Sequence, residues 1–348
     1  MNENPQTASA NTPPSAAMLR MISGFRVSRA IYVAAKLGIA DLLKDGPKTS
    51  EDLAQLTDTH APSLYRVMRT LASVGIFAED EQGGFMLTPI AATLQSDIPG
   101  SLRSWAILVL GEEHYQAWGD LMHTIQTGET AFNNVFGIGV FQYEAQHPEH
   151  ARIFDEAMAN LIGVYNSAVL ASYSFSSIEK LIDVGGGDGS LLIAVLQAKP
   201  QMKGMLFELP HVTDKAKQRI TKTGLSGRCE VVAGDAFVSV PNGGDAYILS
   251  RVINSFDNER ALIILRNCRR ASTKKSKLLL VERVLPDRVE HSFAAQGPVL
   301  SDLNMMVMSG GRERTAEEHR ALLEASGFAP TKIIPTHSEV SVIECEPA

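Results

Sequence analysis

At 348 residues the chain has room for two or three domains and a sizeable core. With 45% hydrophobic residues, 20% charged residues and a formal net charge of −7, it reads as a soluble globular protein with no general attraction for nucleic acid or an acidic membrane. Its three cysteines, Cys229, Cys268 and Cys345, are far apart and form no CxxC pair, which excludes a disulfide framework and a zinc site and fits a cytoplasmic protein.

Residues 1–16 are polar and rich in Pro and Ala, lack the basic start and apolar centre of a signal peptide, and are expected to form a disordered tail. Residues 18–43 carry apolar side chains at helical spacing, with a break at Gly38. A compact unit follows. Thr49 or Ser50 caps one helix, Pro62 opens the next, and two short strands flank Gly83 and Gly84, a helix-turn-helix with a wing. Such a unit either reads DNA through Arg66 and Arg69 or builds a protein interface. The acidic Glu79, Asp80 and Glu81 beside the wing would repel phosphates, which favours the interface. Residues 102–174 are helical and aromatic-rich, serving as ordinary core or as a wall for a flat ligand, and no apolar run, such as 105–110, is long enough to cross a bilayer.

From residue 180 strands and helices alternate. Strands are expected near 180–184, 203–208, 229–233, 245–250, 277–284, 329–335 and 338–345, with helices near 190–198, 212–222, 257–271 and 315–326. This order implies an α/β domain on a mostly parallel sheet with its ligand at the carboxyl ends of the strands. There the chain carries Gly185, Gly187 and neighbouring glycines, then Glu208, Asp235, and residues 250–255. The glycine-rich turn into a helix offers free N–H groups and a positive dipole end, suited to an anionic small molecule. Gly185 and Gly187 fit a dinucleotide fingerprint, but Ser190 stands where its third glycine belongs. Glu208 suits ribose hydroxyls in a nicotinamide or an S-adenosylmethionine site. Asp183 would set a carboxylate near a ligand ammonium and disfavour a pyrophosphate, and Asp235 could accept an adenine amino proton.

Taken together, DVGGGDG (183–189), FELPHV (207–212), GDAF (234–237), FDEAM (154–158) and GGRERT (310–315) make the sequence resemble the class I S-adenosylmethionine-dependent small-molecule O-methyltransferases, a family with plant caffeate-type and bacterial polyketide and anthracycline members. The resemblance covers nearly the whole chain. It implies a Rossmann-like seven-stranded domain over residues 175–348, a helical substrate segment over 101–174 and a winged-helix dimerisation domain over 17–100. It further implies S-adenosylmethionine as cofactor, an aromatic secondary metabolite as substrate, and a homodimer joined through the N-terminal halves. By the same resemblance Gly185, Glu208, Asp235, Phe237 and Ser250 are cofactor contacts, and Phe154, Met158 and Met305 line the substrate pocket.

One position departs from the family. Many members carry a catalytic histidine where this chain has Asn254, and a carboxamide cannot act as general base. Glu282 and Glu313 fall where the family keeps the carboxylates that orient the histidine; they either retain a catalytic role or are scaffold bonded to backbone or arginine. Three outcomes are open. The acceptor is already nucleophilic and proximity suffices, another base such as His114 or, more weakly, His291 serves, or the fold has become a non-methylating redox enzyme, a hydroxylase or oxidative demethylase. The expectation is methyl transfer to an oxygen or nitrogen of a small aromatic or heterocyclic metabolite, without a metal, because no His/Asp/Glu cluster has ligand spacing.

Overall fold

The computed structural model describes residues 13–348, in two compact units: residues up to Tyr115 with Glu149–Asn160, and Gln116–Pro148 with Leu161–Ala348. The expected tail falls mostly on residues 1–12, outside the described residues. Residues 14–16 are already helical, because Pro14 fits the first helical position, where no N–H is needed.

In the first unit α1 (Pro14–Leu37) stops at Gly38, whose φ of 68° is left-handed, and α2 (Ile39–Leu42) restarts the chain. Thr49 and Asp52 form a reciprocal capping box on α3 (Ser50–Thr57). α4 (Ala61–Ser73) buries Leu64, Met68 and Leu71, spaced at four and three residues, against Leu53, Phe77 and Phe85. The wing is β1 (Phe77–Glu79) paired antiparallel with β2 (Phe85–Leu87). Asp80 closes the turn by accepting from Gln82 N–H (2.9 Å) and Gly84 N–H (2.8 Å), so one of the acidic wing residues has a local structural role. α5 (Pro89–Ala92) and α6 (Arg103–Val109) follow. The outer side of α1 leaves Met18, Leu19, Met21, Ile22 and Phe25 each more than half exposed.

α7 (Glu112–Gly119) and α11 (Pro148–Ser172) each run from one unit into the other, while α8 (Leu121–Thr127), α9 (Ala131–Phe136) and α10 (Val140–Gln146) lie in the second. Within 101–174, residues 116–148 and 161–174 belong to the second unit, where Phe132 packs with Val307 and Met308.

The second unit is built on seven strands: β3 (Lys180–Val184), β4 (Lys203–Glu208), β5 (Cys229–Ala233), β6 (Ala246–Ser250), β7 (Lys277–Glu282), and, after the short pair β8 (Val284–Leu285) and β9 (Arg314–Thr315), β10 (Phe328–Pro335) and β11 (Ser341–Pro347). Their order across the sheet is β10-β11-β7-β6-β3-β4-β5. The five central and right-hand strands are parallel, and β11 runs antiparallel to β7 and β10, a mixed and mostly parallel sheet. α12 (Ser190–Ala198), α13 (Pro210–Lys222), α14 (Asn258–Ala271) and α16 (Ala316–Ala325) fall close to their expected spans; α15 (Phe293–Met308) was not anticipated. β3 is buried on both sides, as parallel strands covered by helices are, with Leu181 in one apolar cluster and Ile182 and Val184 in the other.

Candidate active site at the carboxyl ends of the sheet

β3 ends at Val184 and the chain turns through Gly185 (φ 71°) and Gly187 (φ 58°) into α12. Gly185 N–H donates to Phe207 O (2.8 Å) and Gly187 N–H to Glu208 Oε2 (2.8 Å). Glu208, at the end of β4, thus lies across the glycine turn with its carboxylate half-exposed, where a ribose diol could take over its lone pairs. Asp235, just past β5, is exposed and accepts from Phe237 N–H at 2.8 Å. The Phe237 ring stands edge-on to Phe256 at 5.1 Å, and the Arg260 guanidinium lies over both rings. Ser250 closes β6, half-buried.

Two expectations about this turn change. The amino end of α12 does not await an anion, because Asp188 already accepts from Ser190 N–H (3.0 Å) and pairs with Arg219. Nor does Asp183 face a ligand directly. Its side chain has no exposed surface and lies under the turn, so close that a Cβ on Gly186 would sit 2.4 Å from the carboxylate. Neither of its oxygens completes a hydrogen bond. Burial first, then the negative fields of Glu208 and Asp188, push its carboxyl up to about 7, against the pull of Leu192 N–H. The turn is thus ringed by Asp183, Asp188, Glu208 and Asp235 with only Arg219 paired among them. Such a site favours a ligand that carries positive charge, as the sulfonium and ammonium of S-adenosylmethionine do, and disfavours a pyrophosphate.

Beyond β6 the chain passes Arg251 and enters a single 3-10 turn, Ile253–Ser255. Asn254 is 4% exposed; its Nδ2 lies 3.7 Å from Met305 Sδ on α15, and its Oδ1 has no partner among the described residues. Glu282 and Glu313 are buried, and their oxygens are engaged by neighbouring donors. Glu282 accepts from Ile253 N–H (3.0 Å) and from Arg251 Nη1 (3.3 Å). Glu313 takes both prongs of Arg251, at 3.0 and 2.8 Å, and Ser301 Oγ at 2.8 Å. Burial pushes Glu282 up to about 7 against its one long bond to Arg251, whereas the two short bonds from the same guanidinium outweigh burial and hold Glu313 below the ordinary glutamate value. Of the two readings left open for these carboxylates, a catalytic role or a scaffold bonded to backbone and arginine, their bonds fit the scaffold.

His114 is the other candidate base. It is buried in the first unit, where desolvation, helped by His150, lowers its pKa to about 4, so it holds a proton too weakly to be an effective base near neutrality. His291 is exposed. Phe154 and Met158, one helical turn apart on α11, are half-buried in the first unit, while Met305 is in the second beside Asn254. Sequence reasoning missed Arg251, Arg283 and Arg314. A charged residue immediately after the apolar strand AYILS was the available signal for the first.

Among the described residues no group of three or more His, Cys, Asp or Glu is arranged to hold a metal ion, and no helix is long and apolar enough to cross a membrane.

Comparison with known proteins agrees with this geometry. Phenazine O-methyltransferase PhzM of Lysobacter antibioticus is 48% identical over the whole of both chains. Phenazine-1-carboxylate N-methyltransferase of Pseudomonas aeruginosa is 32% identical, over 94% of this chain and 95% of its own. Among solved structures, an O-methyltransferase (NcsB1) from neocarzinostatin biosynthesis, in complex with S-adenosylmethionine and 2-hydroxy-5-methyl naphthoic acid, matches with a TM-score of 0.83 at 30% identity, over 98% of this chain and all of that one. Residues 19–97 match the O-methyltransferase dimerisation domain, and residues 118–329, more than half of the chain, match the O-methyltransferase domain. With the acidic glycine turn, the mostly parallel sheet and these matches, the chain belongs to the S-adenosylmethionine-dependent O-methyltransferase family that carries an N-terminal dimerisation domain.

Proposed function

We propose that this methyltransferase acts on a planar, nitrogen-containing polycyclic aromatic of the phenazine class, on a hydroxyl or ring nitrogen that is already nucleophilic, with no side chain taking its proton. One observation carries the reading: the position that the family resemblance gives to a base is Asn254, and Arg251 occupies the two carboxylates around it. The names of the two phenazine-modifying relatives supply the substrate class.

S-adenosylmethionine supplies a methyl group on a sulfonium, an electrophile that needs only an aligned lone pair. The residues of this chain hold and exclude rather than exchange protons. Gly185 and Gly187 let the backbone approach the cofactor, Glu208 takes the ribose hydroxyls, Asp235 and Phe237 take the adenine, Ser250 borders the site, and buried Asp183 adds a negative field beneath the turn. Asn254 and Met305 form one wall for the acceptor. Held in line, acceptor and methyl donor gain on the order of 7 kcal/mol from proximity at best. A phenolate or a ring nitrogen meets these conditions; a neutral aliphatic alcohol does not.

The protein works in the cytoplasm as a homodimer that meets its twin through the exposed apolar side of α1, in a secondary-metabolite pathway. No observation favours the non-methylating redox alternative.

Purified protein with methyl-labelled cofactor and 1-hydroxyphenazine or phenazine-1-carboxylate tests the reading. Label should appear in the organic phase as a single methylated product, without oxygen uptake. Cofactor binding without transfer to either compound would sink the substrate class.

A further inference from the structure

Arg251 has a backbone that few side chains adopt. Its φ is 58°, in the left-handed region that costs a residue with a Cβ of the order of 1 kcal/mol or more, and among the described residues only Asp58 shares this feature outside glycine. The strain is held on both sides. Arg251 N–H donates to Val281 O (3.0 Å), continuing the β6–β7 ladder one residue past the strand, and the side chain then folds back over the end of β7 to bond Glu282 and Glu313.

Those bonds lead to the turn that carries Asn254. Glu282 grips Arg251 with one oxygen and Ile253 N–H with the other. On the opposite side Arg312 N–H donates to Asn254 O (2.8 Å), and Arg314 donates to Ile253 O (3.1 Å) and Phe256 O (2.9 Å). Gly311 lies so near that a Cβ there would sit 2.2 Å from Asn254 O. Arg283 backs the cluster, 3.6 Å from Glu313 and bonded to Tyr165, Ser301 and Glu339. The facing charges are Arg251, Arg283, Arg312 and Arg314 against Glu282, Asp302, Glu313, Glu318 and Glu339; Glu313 N–H donates to Asp302 Oδ1 (2.8 Å), and Arg312 pairs with Glu318. Glu339 is exposed, whereas Glu282, Glu313 and Arg314 are buried, and the crossed bonds among the buried groups favour one arrangement.

We propose that Arg251 is the positioning residue of the methyl-transfer site: wedged between Glu282 and Glu313 in a left-handed backbone, it fixes the turn of residues 252–256 and thereby aims the Asn254 carboxamide at the acceptor. This rests on the reading that Asn254 borders the acceptor. Arg251 touches neither substrate nor cofactor and acts through the turn. The group so aimed is a carboxamide, which does not titrate, the property a base-free transfer requires.

The full-length protein is examined as Arg251→Met, Arg251→Lys and Arg251→Met with Glu313→Gln, the last removing both charges together. Backbone hydrogen exchange over residues 252–256 and at Arg312 should quicken at least tenfold in Arg251→Met. With 1-hydroxyphenazine, kcat should fall tenfold to a hundredfold while the affinity for S-adenosylhomocysteine stays within twofold. Arg251→Lys, which keeps the charge without the fork, should recover part of kcat. The double variant should regain the melting temperature but not kcat, separating aim from stability. Unchanged exchange in Arg251→Met, an unchanged kcat, or full recovery of kcat in the double variant would each overturn the proposal. A wild-type protein that leaves 1-hydroxyphenazine unmethylated counts against the substrate class alone, and exchange then decides the role of Arg251.

Discussion

Arg251 holds Glu313 with both prongs of its guanidinium, Nη1 to Oε2 at 3.0 Å and Nη2 to Oε1 at 2.8 Å, and this fork removes the best-placed carboxylate from proton chemistry. With Asn254 unable to titrate, ionisation of the acceptor must set the pH dependence of turnover. The expected result is an inflection in kcat/KM that rises with pH and moves with the acceptor's own pKa across substituted hydroxyphenazines. With S-adenosylmethionine saturating at every pH, so that its own pH-dependent binding does not enter, an inflection fixed at one pH for every acceptor would identify a base in the protein. Glu282, pushed up to about 7 by burial, is the group to check, and Glu282→Gln should leave the inflection where it was.

His114→Ala should keep kcat within about twofold, since a histidine lowered to about 4 carries little proton affinity to lose. Asn254→Ala should cost more, on the order of tenfold, through loss of a buried polar wall rather than of a base. Steady-state kinetics on both variants checks the order. The reverse order, with His114→Ala inactive and Asn254→Ala intact, would make His114 the base.

Asp183 should couple cofactor binding to pH. Its folded-state pKa of about 7 lies above the unfolded value of 3.8, so the folded chain holds the extra proton between them and stability falls as pH rises through that window, by on the order of 4 kcal/mol in the limit. Asp183→Asn should therefore raise the melting temperature of the free protein at pH 8. A cationic cofactor favours the ionised carboxylate, so wild-type affinity should weaken as pH drops from 8 to 6, with proton release on binding. Calorimetry in buffers of different ionisation enthalpy reads this release directly, and in Asp183→Asn it should vanish.

Glu208 is the residue for which loss should appear in the cofactor and not in the acceptor. Glu208→Ala removes a charged hydrogen-bond acceptor worth about 1.5–3 kcal/mol, a cofactor KM raised by roughly tenfold to a hundredfold. The acceptor KM should be unaltered. Equal increases in both would show that the turn itself has collapsed, which the bond from Gly187 N–H makes a real contingency.

Much of this architecture could be read before folding. The seven strands fell within a few residues of expectation because runs such as KLIDV and AYILS are apolar on both faces and end at glycine or a polar residue. Helix α15 has no counterpart among the expected helices; Pro298 lies inside it, where it removes one i→i−4 hydrogen bond and weakens the helical signal of the sequence. The strand-end positions of Glu208 and Asp235 were legible, but the direction in which a side chain turns was not. Asp183 faces under its own loop and Asp188 over the helix end, and both choices depend on Gly186 and Arg219 in three dimensions. The left-handed backbone of Arg251 has no trace in the sequence at all, since only the two carboxylates that bind it make it tolerable.

The outer side of α1 makes the last prediction. Met18, Leu19, Met21, Ile22 and Phe25 are between 51 and 71% exposed, an apolar concentration that a monomer would not keep in water, on a segment matched to a dimerisation domain. Each such side chain contributes roughly 1.5–3 kcal/mol when it passes from water to a packed interface. Replacing Ile22 and Phe25 together by Asp removes two of them and sets like charges against each other across a two-fold axis. Sedimentation should then give half the wild-type mass at micromolar concentration. Binding of S-adenosylhomocysteine should persist, because Gly187, Glu208 and Asp235 all belong to the second unit. A variant that stays dimeric would move the interface off α1, and one that loses both dimer and cofactor binding would mean that the second unit needs its partner to fold.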